Sequence, residues 1–216
     1  MVTETPALVA TPEERVLDAA VACVARWGLA KTTLDDIARE AGLSRASVYR
    51  RFPGGKAALL QEAGQRELRR ALAELIEALE TAETLEQVVT DGIVAAAAAL
   101  HDHPAVRQLI EHEADVVRPL LAFDRITPGL LLAAELCGPT LHRFVPPRAA
   151  AELVEQCSRL VLSLTFVPGS VDLGDHDAVG RYVRAYVLPG VERLAAGPTT
   201  DPSTDPTTAD HPGGTP

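Results

Sequence analysis

Cysteine is scarce in this chain of 216 residues, paired cysteine motifs are missing, and no aliphatic run is long. The three thiols are Cys23, Cys137 and Cys157, and no two are spaced as CxxC. An odd count without an export-type leader argues against a disulfide framework and leaves three small apolar side chains. A redox switch pairing Cys137 with Cys157 stays open as an alternative, because spacing does not supply its geometry. The longest aliphatic run, Ile93 to Leu100, is mostly alanine and too short to span a bilayer. The start, MVTETPALVATPEER, lacks the basic residues and apolar core of a signal peptide. The expectation is a cytoplasmic chain without a membrane partner. Nucleophile elbow, P-loop, dinucleotide fingerprint and paired-cysteine metal site are likewise missing. An enzyme is therefore disfavoured, with no catalytic residue, no cofactor and no resident metal expected.

Acidic residues are not scarce overall, and the formal net charge is −10. They are missing from one stretch: between Ala41 and Gln61 there is no Asp or Glu, while Arg45, Arg50, Arg51 and Lys56 all fall there. Residues 1–60 carry a net +1, so the acidity belongs to the remainder. A local basic footprint is what nucleic-acid binding requires, and an acidic body does not prevent it.

That stretch belongs to two short helices joined by a turn. Thr33 can cap the first, with Asp36 as the reciprocal partner three residues on. Leu34, Ile37, Ala38 and Ala41 give it one apolar stripe. Gly42 is a helix stop in left-handed backbone, Leu43 fills the space between the helices, and Ser44 caps the second. The second helix runs from Ser44 to about Phe52, buries Val48 and presents Arg45, Ser47, Tyr49 and Arg50. The pattern is a helix-turn-helix over about residues 33–52, with an exposed helix suited to a DNA major groove.

Residues from about Ala10 to Arg70 resemble the N-terminal domain of the TetR/AcrR family of bacterial transcription regulators. The resemblance rests on Val16-Leu17-Asp18-Ala19-Ala20, Gly28, Thr32-Thr33-Leu34 and Ile37-Ala38. It continues in Ala41-Gly42-Leu43-Ser44, Val48-Tyr49, Phe52 and Lys56. The chain departs from that pattern in three places. Val24 stands where a Phe is usual, with Trp27 as compensation; Arg45-Ala46 replaces a Lys/Thr-Gly pair; and one extra residue precedes Lys56. The resemblance implies an all-α protein with a three-helix DNA-binding head and a helical ligand-binding and dimerisation body. The division expected is a head over residues 10–70, a body over 71–196 and a disordered tail over 197–216.

The helical body is also legible from the residues. Alanine and leucine dominate over β-branched and aromatic residues, and no alternating strand or internal repeat appears. Thr11-Pro12 with Glu14 opens a first helix to about Trp27. A long helix from Lys56 to about Thr81 links head to body. Thr84 with Gln87 opens a helix ending near Leu100. His103-Pro104 starts another, with a break, to about Ala122. Thr127-Pro128 opens a third, Arg148 to about Val167 forms a fourth, and Asp175 caps a fifth over Asp177–Leu188, which Pro189-Gly190 bends or ends. The tail, with five prolines and no large apolar side chain, cannot build a core.

These elements define the expected sites. Arg45, near the start of the exposed helix, is placed to give two hydrogen bonds to a guanine edge. Ser44, Ser47 and Tyr49 can donate to phosphates, as can Thr33, and Arg50 adds charge. By resemblance, residues matching Thr33, Tyr49 and Lys56 touch the DNA backbone. One head covers too few base pairs for specificity, so a homodimer on a palindromic double-stranded operator is expected. Resemblance places its interface on the last two long helices, rimmed by Arg159, Arg181 and Arg184. It also implies a repressor released from DNA by a small, lipophilic effector held among the middle helices, with Arg107, His112 and Phe123 as pocket candidates. A ligand-independent or redox-responsive regulator is the alternative. His101-Asp102-His103 and Glu111-His112-Glu113 do not make a metal site, since neighbouring positions on a helix point in different directions.

Overall fold

The structure is a computed structural model that describes residues 10–117, 123–167 and 169–191. Helix α1 (Pro12–Lys31) opens on a reciprocal cap: Thr11 Oγ1 accepts from Glu14 N at 3.1 Å and Glu14 Oε2 accepts from Thr11 N at 2.6 Å. Regular helix stops at Gly28, whose φ of +82° only glycine adopts without strain. One further turn leads to Thr32, whose hydroxyl donates to Gly28 O at 2.6 Å.

Helix α2 (Leu34–Glu40) carries the same kind of cap, Thr33 with Asp36, and ends at Gly42 with φ +65°. Helix α3 (Arg45–Arg51) follows, capped by Ser44 Oγ accepting from Ser47 N at 3.2 Å. Val16, Ala20, Cys23, Ile37, Val48, Phe52 and Leu59 form the core under these helices. Trp27 packs against that core from its edge, supplying apolar volume beside the smaller Val24.

Helix α4 (Gly55–Leu79) leaves the head core at Leu59 and Ala63 and meets Ala133 and Cys137 through Leu72. Its far end, Leu79, enters the body core with Val89, Ile93, Leu153, Val161, Val179 and Val183. A rise of 1.5 Å per residue makes this connecting rod roughly 37 Å long. The body is α5 (Leu85–Asp102), α6 (Pro104–His112), α7 (Ala114–Val117), α8 (Phe123–Leu141), α9 (Pro147–Phe166) and α10 (His176–Tyr182). α8 packs on α9 and α4, and α5 packs on α4, α9 and α10. The protein is all-α, with no strand among the described residues.

Several boundaries differ from expectation for physical reasons. Gln87 N is capped by Thr84 Oγ1 at 3.1 Å, but the Gln87 side chain returns to Glu83 N at 3.1 Å, one residue earlier than a reciprocal box would have it. α8 starts at Phe123, so Thr127-Pro128 lies inside it; burial of Leu130, Ala133, Cys137 and Leu141 outweighs one lost backbone bond. Pro189-Gly190 does not end the last helix. Val183–Val187 widens into a π turn, with Leu188 N donating to Val183 O, and helix continues to residue 191. The wider turn makes room for a proline ring that would meet the carbonyl four residues back. The break expected in the helix opened by His103-Pro104 falls at Glu113. The expected tail, 197–216, lies outside the described residues.

Candidate nucleic-acid interface and ligand cavity

The outer surface of the head is built by what turns inward. Val48 on α3 and Phe52, which closes its C-terminus one turn later, are buried. Arg45, Arg50 and Arg51 are exposed, and Tyr49, at 54% exposure, is one of the few large side chains with an apolar ring left in solvent. Arg51 Nη1 donates back to Ser47 O at 3.0 Å. Ser44 and Ser47 hydroxyls lie 3.0 Å apart, and Arg50 Nη2 donates to Ser47 Oγ at 3.3 Å. The two serines are thus engaged in the cap and hold Arg50 against the helix. Arg45 Nη1 pairs with Asp35 Oδ2 on α2 at 3.1 Å, an acid outside the acid-free stretch.

Thr33 is exposed, and its hydroxyl donates to Asp36 Oδ2 at 2.5 Å. The Thr33 hydroxyl, more than its backbone N–H or Arg39, holds the Asp36 carboxyl below its usual range. An ionised Asp36 therefore occupies the start of α2, where a phosphate contact was expected. Lys56 sits in the first turn of α4 and is half-buried; its Nζ donates to Leu29 O at 2.6 Å and Ala30 O at 3.4 Å. One ammonium donor remains for another partner.

Between α4, α5, α8 and α9 lies a cavity of about 110 Å³. Its wall is Leu72, Leu75, Leu79, Val88, Val89, Gly92, Ile93, Ala96, Ala133, Cys137, Thr140, Leu141, Leu153, Val154, Cys157, Ser158 and Val161. Among the described residues no charged side chain lines it, and Thr140 and Ser158 supply hydroxyls. Arg107 and His112 are not among the residues that line this cavity. α6 packs on α1 and α5, and both side chains point to solvent. The Phe123 side chain lies outside the described residues. Cys137 on α8 and Cys157 on α9 both line the cavity, and burial pushes their thiols up to about 11 and about 12.

His103 caps α6, its Nδ1 accepting from Val106 N at 3.4 Å, and its Nε2 lies 3.7 Å from Glu67 Oε2. Glu113 turns the other way, into the head, where Oε2 accepts from Leu29 N at 2.6 Å and Oε1 from Ala30 N at 3.1 Å.

A family profile described as bacterial regulatory proteins, tetR family, matches residues 16–63, which span α1 to the start of α4. Over these residues the chain is similar to the TetR family. Within 39 residues it is 54% identical to the uncharacterized HTH-type transcriptional regulator Rv2250c of Mycobacterium tuberculosis and, equally, to Mb2274c of Mycobacterium bovis. That match covers 18% of this chain and 21% of each relative, so the chain spans about a fifth of the curated relatives it matches. Solved structures extend the fold to the body. The TetR family repressor AlkX from Dietzia sp., implicated in biodegradation of n-alkanes, superposes with TM-score 0.65 at 20% identity, over 84% of this chain and 96% of its own. The fatty acid degradation regulator FadR from Bacillus halodurans gives 0.56 at 16%, over 84% and 99%. SmeT, repressor of the Stenotrophomonas maltophilia multidrug efflux pump SmeDEF, gives 0.54 at 25%, over 84% and 93%.

Sequence reasoning missed Asp35 as the partner of Arg45, Glu113 as the partner of Leu29 and Ala30, and the cavity wall as such. Most wall residues stand in apolar stripes that any helical core would show, so no local signal separates a cavity from a packed interior. Glu113 lies 84 residues from Leu29, and nothing in the spacing joins them.

Proposed function

We propose that the protein is a DNA-binding regulator of transcription, acting as a homodimeric repressor whose hold on a palindromic operator is released by a small effector. The observation that carries this reading is the outer face of α3, where Arg45, Tyr49, Arg50 and Arg51 stand in solvent above a core closed by Val48 and Phe52. Arg45 would read a guanine edge, Tyr49 and Arg50 would hold the backbone, and the spare donor of Lys56 would reach a phosphate. Ser44, Ser47 and Thr33 would support that surface by capping. The head would comprise residues 10–70 and the body 71–196, with α9, α10 and the π turn after it as the dimerisation face; Tyr186, 73% exposed in that π turn, supports that placement.

The effector class follows from the cavity wall. A site without a charged lining residue favours an uncharged apolar molecule, oriented by one hydroxyl contact at Thr140 or Ser158. Drug-sized ligands need about 300–1,000 Å³, so anything larger than a small ring or short chain must spread α8 and α9. Selection of bound duplexes from a random pool tests the DNA reading. Enrichment of an inverted repeat, two subunits per duplex, supports it; a pool that stays random through successive rounds refutes it.

A further inference from the structure

The short turn Leu29–Lys31 joins the Gly28 break to Thr33, the cap of α2, so its orientation decides where the helix-turn-helix begins. The first N–H groups of such a turn have no partner inside it. Here a residue of the body takes two of them: Glu113 accepts from Leu29 N at 2.6 Å and from Ala30 N at 3.1 Å. On the opposite side Lys56 Nζ binds the carbonyls of the same two residues. The peptide dipoles thus lie between a carboxylate at their N–H end and an ammonium at their C=O end, the favourable sense for both charges. Gly28 permits the approach, because a Cβ there would stand 2.6–2.8 Å from the Glu113 carboxyl atoms.

Glu113 is carried by α6, whose last turn it closes with its N–H on Leu109 O. α6 packs on α1 and on α5, and α5 supplies Val88, Val89, Gly92, Ile93 and Ala96 to the cavity wall. We propose that Glu113 is a positioning residue for the DNA-binding head. Its bonds to Leu29 and Ala30 fix the head against the body and give movement of α5 and α6 a route to α2 and α3 separate from the α4 rod. This rests on the DNA-binding reading above.

The test uses the full chain with E113A, E113Q and the control E111A, whose carboxylate is exposed on the same helix end. Two readouts are taken: amide hydrogen exchange at Leu29 and Ala30, and affinity for the duplex selected by the parent protein. A head freed to sample unproductive orientations binds more weakly in proportion to its competent fraction. E113A is expected to speed exchange at both amides by roughly tenfold and to weaken duplex binding about three- to tenfold. E113Q, with one acceptor left, falls between, and E111A matches the parent. E113Q also keeps the test decisive if E113A fails to fold. Faster exchange with unchanged affinity reduces Glu113 to a local cap and overturns the proposal, as does unchanged exchange. A parent protein that selects no duplex overturns the DNA reading and this role with it, while exchange still shows whether the bond exists.

Discussion

Arg45 Nη1 lies 3.1 Å from Asp35 Oδ2, so the arginine best placed to read a base is already paired with a carboxylate on the preceding helix. Both side chains are more than half exposed. A pair of that kind contributes about 0–1 kcal/mol, whereas a forked contact with guanine is worth about 1–3 kcal/mol of discrimination. On these magnitudes a guanine edge would displace Asp35 from the guanidinium.

Replacing Asp35 by Asn is expected to raise affinity for duplex about two- to fivefold, since it removes both the competitor and a charge repelled by phosphate. Arg45→Ala is expected to weaken binding to the selected operator about tenfold or more while changing random duplex little. Fluorescence anisotropy at fixed salt measures both. Equal losses on both duplexes for Arg45→Ala would make it a phosphate contact.

Lys56→Ala removes the donor to Leu29 O and Ala30 O, and is expected to destabilise the head by about 1–2 kcal/mol. It should also flatten the slope of log affinity against log salt by about one unit. Lower melting with an unchanged slope would confine Lys56 to its internal bonds.

The two cavity thiols predict a pH window. Folding raises the Cys137 and Cys157 values from 9.0 to about 11 and about 12 through burial, so above pH 9 the unfolded chain releases protons that the folded chain retains. Stability linked to these groups is fully present below pH 9 and declines as pH rises through 11 and 12. C137A should lessen that decline in a thermal-melting series. Both thiols should resist iodoacetamide at pH 7.5 until the chain is denatured, because the thiolate is the reactive form. Rapid native labelling would revive the redox alternative.

Small uncharged apolar compounds should raise the melting temperature, in proportion to occupancy, and their carboxylate counterparts should not. A fatty acid that stabilises as well as its alcohol would contradict an uncharged wall.

The head was legible because its signals are local: Thr33 with Asp36, Gly42, Ser44 and the buried Val48 each act within one helical turn. The body helices were legible for the same reason at their starts, where Thr84 and Asp175 cap. What escaped was long-range. Asp35 meets Arg45 only after the turn at Gly42 folds α2 over α3, and Glu113 finds Leu29 only once α6 lies on α1. Arg107 and His112 stand in solvent away from the cavity, because polarity on a middle helix marks solvent as readily as a pocket. Of the two outcomes expected at Pro189-Gly190, a bend or an end, the helix does not end, because a π turn absorbs the ring.

The most direct test of the central claim is titration of the selected palindromic duplex with the parent protein and Arg45→Ala across a range of salt. The account predicts two subunits per duplex, a steep salt slope, and loss of the preference over random sequence when Arg45 is removed. Salt-insensitive binding, or a preference that survives without any arginine of α3, would contradict it.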